Sequence, residues 1–243
     1  MSHDLEAPGT DEIPDWDSLY RARGAEVVAH RPFFTGDVFS GVRIAGERDS
    51  RNVIILQHPC AIRTGGVKLV GKLVMAEVRP LSPLIPPSNW TTGHYRCMPL
   101  PLLIVDDKRP DHSARFDAPH LATPEQLQEA SRIACLSQKG VNLLLQRWVH
   151  HNSRVVVPTY QYQTMTAAQY EEADMIEDWC ADRADDGIEA SDALLEVDEW
   201  LSVKDTQGGS RRDALKDEQQ RSTLRRDLRA HLRWVRSAPT EGQ

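Results

Sequence analysis

The chain has 243 residues, 40% hydrophobic and 27% charged, with a formal net charge of −7, an ordinary globular composition that excludes collagen-like, mucin-like and wholly disordered chains. No stretch approaches 18 uninterrupted apolar residues, which excludes a membrane-spanning helix, and the acidic opening MSHDLEAPGTDEIPDWD is no secretory signal. Cys60, Cys97, Cys135 and Cys180 lie 37, 38 and 45 residues apart, which is neither a disulfide framework nor a zinc ribbon and points to a reducing, cytoplasmic location.

Residues 1–14 read as a disordered acidic arm, with Pro8, Gly9 and Pro14. Asp17-Ser18 is placed to cap a short helix ending near Arg23, closed by Gly24. Glu26–Ala29 then reads as extended. Residues 36–44 alternate as a strand, with Val38, Ser40, Val42 and Ile44 on one face and Asp37, Phe39, Gly41 and Arg43 on the other. Asn52–Gln57 is a continuous β-branched run, the best candidate for a central strand, and Lys72–Val78 is a second core strand.

Six prolines between Pro80 and Pro101 bar regular structure through most of that stretch. Strands are expected near His94–Met98 and at Leu102–Val105, with 106–122 polar and irregular. Thr123-Pro124-Glu125-Gln126 is a capping box with proline at the first helical position. A short strand at 132–136 leads to Ser137, which caps a helix over 138–152 with Val141, Leu144, Leu145, Trp148 and Val149 at helical spacing. Residues 154–158 read as a closing strand, and the tail as helices at 167–182, 192–203 and 211–236.

Charge is unevenly distributed. Residues 1–170 carry net +1, residues 171–205 net −12, and residues 206–243 net +4. Leu224, Leu228, Leu232 and Val235 form an apolar stripe too narrow to fold alone. The expected partner surface is the acidic segment, with Trp179 and Trp200 meeting the leucines and carboxylates facing the arginines. The alternative partner is a nucleic acid or an acidic protein.

Gly36-Asp37-Val38, Arg51–Leu56 and Leu73–Val78 follow an order that resembles the opening of the MazF/PemK toxin family, across residues 33–82 with an echo in 138–152. The resemblance implies a small SH3-like barrel and, in the family, RNA cleavage. Arg51 falls on the family's Arg of Arg-Pro, with Asn52 in place of the proline. Val78-Arg79-Pro80 falls on its Ile-Thr-Ser, replacing the hydroxyl pair. The chain also resembles uncharacterised bacterial proteins suspected of roles in stress response or phage defence, where a core strand ends in Cys-Asp. Here that position reads Cys60-Ala61.

These observations predict an α+β protein: an acidic disordered arm and short helix at 1–24, a small, SH3-like bent β-barrel with one core helix at 25–158, and a helical C-terminal appendage at 159–243, acidic over 171–205 and basic over 206–236. The function expected is a binding module for a partner protein, such as an ATPase or other defence component, or for RNA or DNA, in a bacterial toxin or phage-defence-type system. The alternative is a metal-independent, sequence-specific endoribonuclease using Arg51, His58 and Arg79. The binding residues expected are Arg63, Lys68, Lys72, Arg147, His151, Arg225 and Arg229. No cofactor and no membrane contact are expected, and an oligomer is left open. Cys60 reads as a small buried hydrophobe. His58, Cys60, His94 and Cys97 have ligand types suited to zinc, but in a strand residues three apart point to opposite faces, so no metal is assigned.

Overall fold

The computed structural model describes residues 4–64, 68–104, 111–206 and 208–237. It is a mixed α+β protein that divides into two compact units, one comprising Met1–Val27 and Phe33–Thr166, the other Val28–Pro32 and Ala167–Gln243.

The first unit is built on strands β1 (Tyr20–Arg23), β2 (Asp37–Val42), β3 (Arg51–Ile55), β4 (Arg63–Thr64), β5 (Lys68–Leu69), β6 (Leu73–Pro80), β7 (Cys97–Leu100), β8 (His112–Ala122) and β9 (Ser131–Leu136). Its helices are α1 (Pro59–Ile62), α2 (Pro87–Thr92), α3 (Pro124–Gln128) and α4 (Gln138–Ser153). Among the described residues, seven strands form one curled antiparallel sheet in the order β1-β9-β2-β3-β6-β8-β7, and β4 and β5 pair separately. The two edges of the curl are tied by side chains. The Tyr20 hydroxyl donates to the Pro101 carbonyl at 2.8 Å, and Arg23 donates to the Leu102 carbonyl at 2.8 Å.

β3 is central, as its apolar run requires. Val53 and Ile55 join Phe39, Val42, Leu73, Met75, Ala122 and Leu127 in one cluster, while Ile54, fully buried, faces the other side of the sheet beside Val38 and Ala76. The alternation expected over 36–44 breaks at a bulge between Phe39 and Val42. Gly41, at φ +82°, supplies the left-handed residue there. The extra residue moves Val42 and Ile44 onto the Phe39 face, so one core face is assembled from both halves of the predicted pattern.

Several expectations are corrected. Residues 4–14 are packed rather than disordered: Leu5 is buried, and the Glu6 carboxylate accepts from the Thr159 amide at 2.8 Å. The helix expected over 17–23 is only a 3-10 turn, Asp17–Leu19, followed by β1, because pairing with β9 overrides local propensity. Gly24–Glu26 is a second 3-10 turn. Leu102–Ile104 is a turn rather than a strand, and Val105 lies outside the described residues. Residues 154–158 are irregular, with Arg154 left-handed at φ +62°. The 106–122 stretch contains the 11-residue strand β8. Its Pro119 is accommodated where the β6–β8 register shifts between Ala76 and Glu77. The capping box at Thr123 and the Ser137 cap of α4 are both present.

The second unit contains the greater part of α5 (Thr159–Asp185), then α6 (Ala190–Ser202), α7 (Arg211–Ala214) and α8 (Glu218–Ser237). Trp179, Trp200, Val197, Leu201, Leu215, Leu224, Leu228 and Leu232 share one core. The arginine-rich helix thus lies on the acidic segment, as its narrow stripe demands. Arg225 pairs with Glu171, and Arg236 pairs with Asp182 and Asp186, both at 2.9 Å. Arg212 bridges Glu172 at 2.9 Å and Asp198 at 2.7 Å. Among the described residues, no helix is long and apolar enough to cross a membrane.

Candidate functional site

The strands that make the core also make a charged end on the same face. Val53, Ile55, Leu73 and Met75 carry the apolar half. Two residues further along β6 stands Glu77, then Arg79, and Arg51 begins β3. In register, Val53 faces Glu77, which places Arg51 across from Arg79. On the other flank of β6, Glu77 pairs with Arg115 and Met75 with His120. The shift of register between these two pairs brings Arg115 and His120, five positions apart, beside Glu77 and Met75, only two positions apart on β6.

Glu77 is the hub. Its side chain is only 8% exposed. Arg79 donates to Glu77 Oε2 at 2.6 Å, and Arg51 Nη1 lies 3.6 Å from Oε1. His120 Nε2 stands 3.7 Å from Oε2, while its Nδ1 faces Glu47 at 3.4 Å. Arg51 also donates to Glu47 at 2.6 Å, and Arg115 holds Asp117 through two bonds of 3.1 and 2.9 Å. The hydrogen bond from Arg79 holds the Glu77 carboxyl below the usual carboxylate range, aided by the Arg79, Arg51 and His120 charges and opposed by burial. Arg51, Arg79 and Arg115 keep 36, 52 and 34% of their side chains exposed. The site therefore presents three part-exposed guanidiniums around an ionised carboxylate.

Of the expected catalytic trio, Arg51 and Arg79 meet and His58 does not join them. Arg51 starts β3, whereas His58 follows its other end, past Ile55. The four residue steps from Arg51 to Ile55 alone span about 13 Å. His58 caps α1 instead, its Nδ1 accepting from the Cys60 amide at 3.3 Å. Burial lowers its pKa, which favours the neutral imidazole this acceptor role requires. Pro59 begins a helical turn rather than prolonging the strand, and Cys60 is exposed, contrary to the buried hydrophobe expected.

Arg147, expected among the binding residues, lies inside the first unit. It is 1% exposed. Its guanidinium donates to the carbonyls of Trp90, Cys97, Gly93 and His94 at 2.7, 3.1, 3.1 and 3.0 Å. Five fixed donors suit such a cluster of acceptors, and the planar cation also lies over Trp90, 5.4 Å from the ring centroid. Burial depresses its pKa to about 10, still cationic at neutral pH. His151 faces the same segment, its Nδ1 3.0 Å from the Tyr95 carbonyl and its ring stacked on Trp148. Arg225 faces inward onto Glu171, Asp174 and Asp178, so its charge is committed within the second unit. Arg229 is exposed. Arg63 is half-buried on β4, and Lys68 on β5 and Lys72 after it are exposed.

Glu77, His120, Arg115 and Glu47 escaped sequence reasoning. Glu77 sits inside an apolar strand, and a lone acid at a position whose neighbours at i−2 and i−4 are core is the signal that could have marked it. Among the described residues, no group of three or more His, Cys, Asp or Glu side chains is arranged to hold a metal ion. No family model, no curated protein and no solved structure matches the chain.

Proposed function

We propose that the chain is a nucleic-acid-binding module, and that the charged end of the first unit's sheet is its contact face. One observation carries this reading: Arg51, Arg79 and Arg115 reach one face from three neighbouring strands, each with a third or more of its side chain exposed. Phosphate oxygens compete well for guanidiniums in part-exposed ion pairs, because such pairs are themselves worth only about 0–1 kcal/mol. The SH3-like barrel and the bacterial toxin or phage-defence setting, with a protein partner, come into this proposal from the resemblance over residues 33–82. The test is fluorescence anisotropy of a labelled RNA pool at low salt. Arg79→Ala and Arg115→Ala should each weaken binding and lower the salt slope by about 0.7, the increment for one phosphate contact to a single strand. If the double variant binds like the parent, this face is not the contact.

RNA cleavage of the MazF/PemK kind is the second reading, and Glu77 is the observation that favours it. In this reading Glu77 would accept the ribose 2′-hydroxyl proton as a weak base, its pKa lowered by its cations, and the three guanidiniums would supply counter-charge for the phosphorane beside it. In this version Glu77 takes the base role and His58 has none. Incubation with RNA should yield 2′,3′-cyclic phosphate ends, and Glu77→Gln should slow their release by about 100-fold or more. An RNA pool left intact at low salt, with and without divalent metal, removes the enzymatic reading and leaves the binding one standing.

A further inference from the structure

Helix α8 uses its inner face fully and leaves its outer face unspent. Leu224, Leu228 and Leu232 are buried in the second unit's core, and Arg225 and Arg236 are committed to carboxylates of α5. On the opposite side, Arg226, Ala230 and Trp234 form one i+4 row, and Arg229 and Arg233 the adjacent row. All five are exposed. Among the described residues, Arg229 and Arg233 have no ion pair, and Arg226, 74% exposed, has only its chain neighbour Asp227 at 3.8 Å. At about 1.5 Å per residue the three arginines span about 10 Å of helix axis.

Trp234 is 63% exposed, yet it does not hang loose. One side of its ring rests on His231, with centroids 5.5 Å apart, and His231 in turn stacks on Trp179 at 5.5 Å and 25°. Burial, then the Arg211 charge, lowers the His231 pKa, so the ring beneath Trp234 is neutral at neutral pH. A chain of aromatic contacts thus runs from the core to an indole that stays largely exposed.

We propose that the outward face of α8 binds single-stranded nucleic acid, with Arg226, Arg229 and Arg233 contacting phosphates and an unpaired base stacking on Trp234. Charge and pattern select this occupant. A helix that docks into an apolar protein groove presents several apolar anchors at i, i+3, i+4 and i+7. This face presents a single anchored aromatic among cations, the combination that holds successive phosphates and a base without reading sequence. A duplex hides its bases and would leave Trp234 idle. The inference is independent of the sheet face, since it rests on a different unit and different residues.

The test uses the full chain and labelled oligouridine and oligothymidine of about 16 nucleotides, the upper range of a single-strand site, followed by anisotropy against salt. Neutralising all three arginines to Gln should lower the salt slope by about 2. Trp234→Ala should weaken binding about fivefold or more, the low end for one stacked base, and Trp234→Phe should restore most of it. These residues are exposed, so melting should not change. Adding Arg79→Ala and Arg115→Ala to either variant separates the two faces, because losses at independent sites compound. The proposal is overturned if the parent binds neither oligomer, or if the Gln triple variant and Trp234→Ala bind like the parent. It is also overturned if duplex binds as well as single strand irrespective of Trp234, if polyglutamate competes as well as oligouridine, or if Trp234→Ala instead abolishes self-association in sedimentation.

Discussion

Arg147 and Trp90 form a buried cation–carbonyl contact: the guanidinium donates to the Trp90 carbonyl at 2.7 Å and lies over the Trp90 ring. Three further carbonyls of the segment leading into β7 converge on the same cation. The charge supplements the few backbone bonds of this proline-rich segment, among them the Cys97 amide donating to the His94 carbonyl at 3.2 Å. Arg147→Met should therefore cost about 3 kcal/mol or more, since each buried acceptor left unsatisfied costs about 1–3 kcal/mol. Arg147→Lys should recover only part of this, with fewer donors and no planar fork. Urea melts measure both, and a loss below about 1 kcal/mol for Arg147→Met would mean that water replaces the guanidinium readily.

Glu77 gives the protein an acid-side dependence of stability. Arg79 on its own strand, Arg51 on β3, and Arg115 and His120 on β8 all face it, and Arg79 above all lowers its pKa from the ordinary 4.5. Above that value the carboxylate is ionised in both folded and unfolded chains, and its contribution is complete. As pH falls below it, the unfolded chain takes up the proton first, so stability drains away toward the depressed folded value. Urea melts between about pH 7 and about pH 3 should show a shallower decline for Glu77→Gln than for the parent. Parallel declines would show that Glu77 is not coupled to folding.

Ile54 and Leu56 test the centrality of β3. Both are essentially fully buried, and β3 has a paired neighbour on each side. Each truncation to alanine should cost about 2–5 kcal/mol, the transfer term plus the cavity left in a core flanked by sheet on both edges. A cost under about 1 kcal/mol in urea would be that of an edge strand and is incompatible with this topology.

The same strand explains what was legible in the sequence. Residues 52–57, 72–78 and 138–152 announce themselves because both the period and the burial are strong, and Thr123 and Ser137 because a cap is a local bond between close neighbours. β1 and β8 are hidden because they are defined by distant pairing. Tyr20-Arg21-Ala22-Arg23 has no strand signature until Leu136 and Ala134 lie beside it, and β8 spends its outward positions on Arg115, Asp117 and His120. The charged site was half visible for the same reason. Arg51 and Arg79 could be paired from the order of two core strands, but Glu77, His120 and Arg115 come together only through a bulge that no local pattern encodes.

The thiols give a sharp check on the loop after β3. Cys60 is exposed at the start of α1, whereas Cys97, Cys135 and Cys180 are buried, and burial raises the Cys180 pKa to about 11. Native protein should therefore show a single thiol reactive toward a disulfide reagent, with the other three reacting only after unfolding. Cys60→Ser should remove that fast phase and leave the melting temperature unchanged. Two or more fast thiols in the native state would contradict the packing of β7, β9 or α5.

Arg31 offers the most demanding test of the second unit. It lies on a five-residue excursion, Val28–Pro32, that belongs to the helical unit although the chain before and after it belongs to the sheet. Its side chain is 2% exposed and meets Asp174 and Glu177, each at 2.7 Å, with the Tyr170 ring 5.2 Å from its guanidinium carbon. Asp174 and Glu177 lie three apart on α5, so one cation holds two carboxylates that would otherwise repel each other in a dry environment. Removing Arg31 leaves two buried carboxylates short of one cation, with Arg225 still standing 3.5 Å from Asp174. Arg31→Met should therefore destabilise the second unit by about 3–5 kcal/mol, the usual cost of breaking a buried pair. Replacing all three, as Arg31→Met with Asp174→Leu and Glu177→Leu, should return much of that loss, because the desolvation cost of the charges disappears with them. Tryptophan fluorescence reports the outcome, since Trp179 and Trp200 both lie in the second unit's core. If Arg31→Met melts like the parent in that signal, the excursion does not anchor the helical unit; if the triple variant is no better than the single one, the ion triad contributes more than its shape and volume.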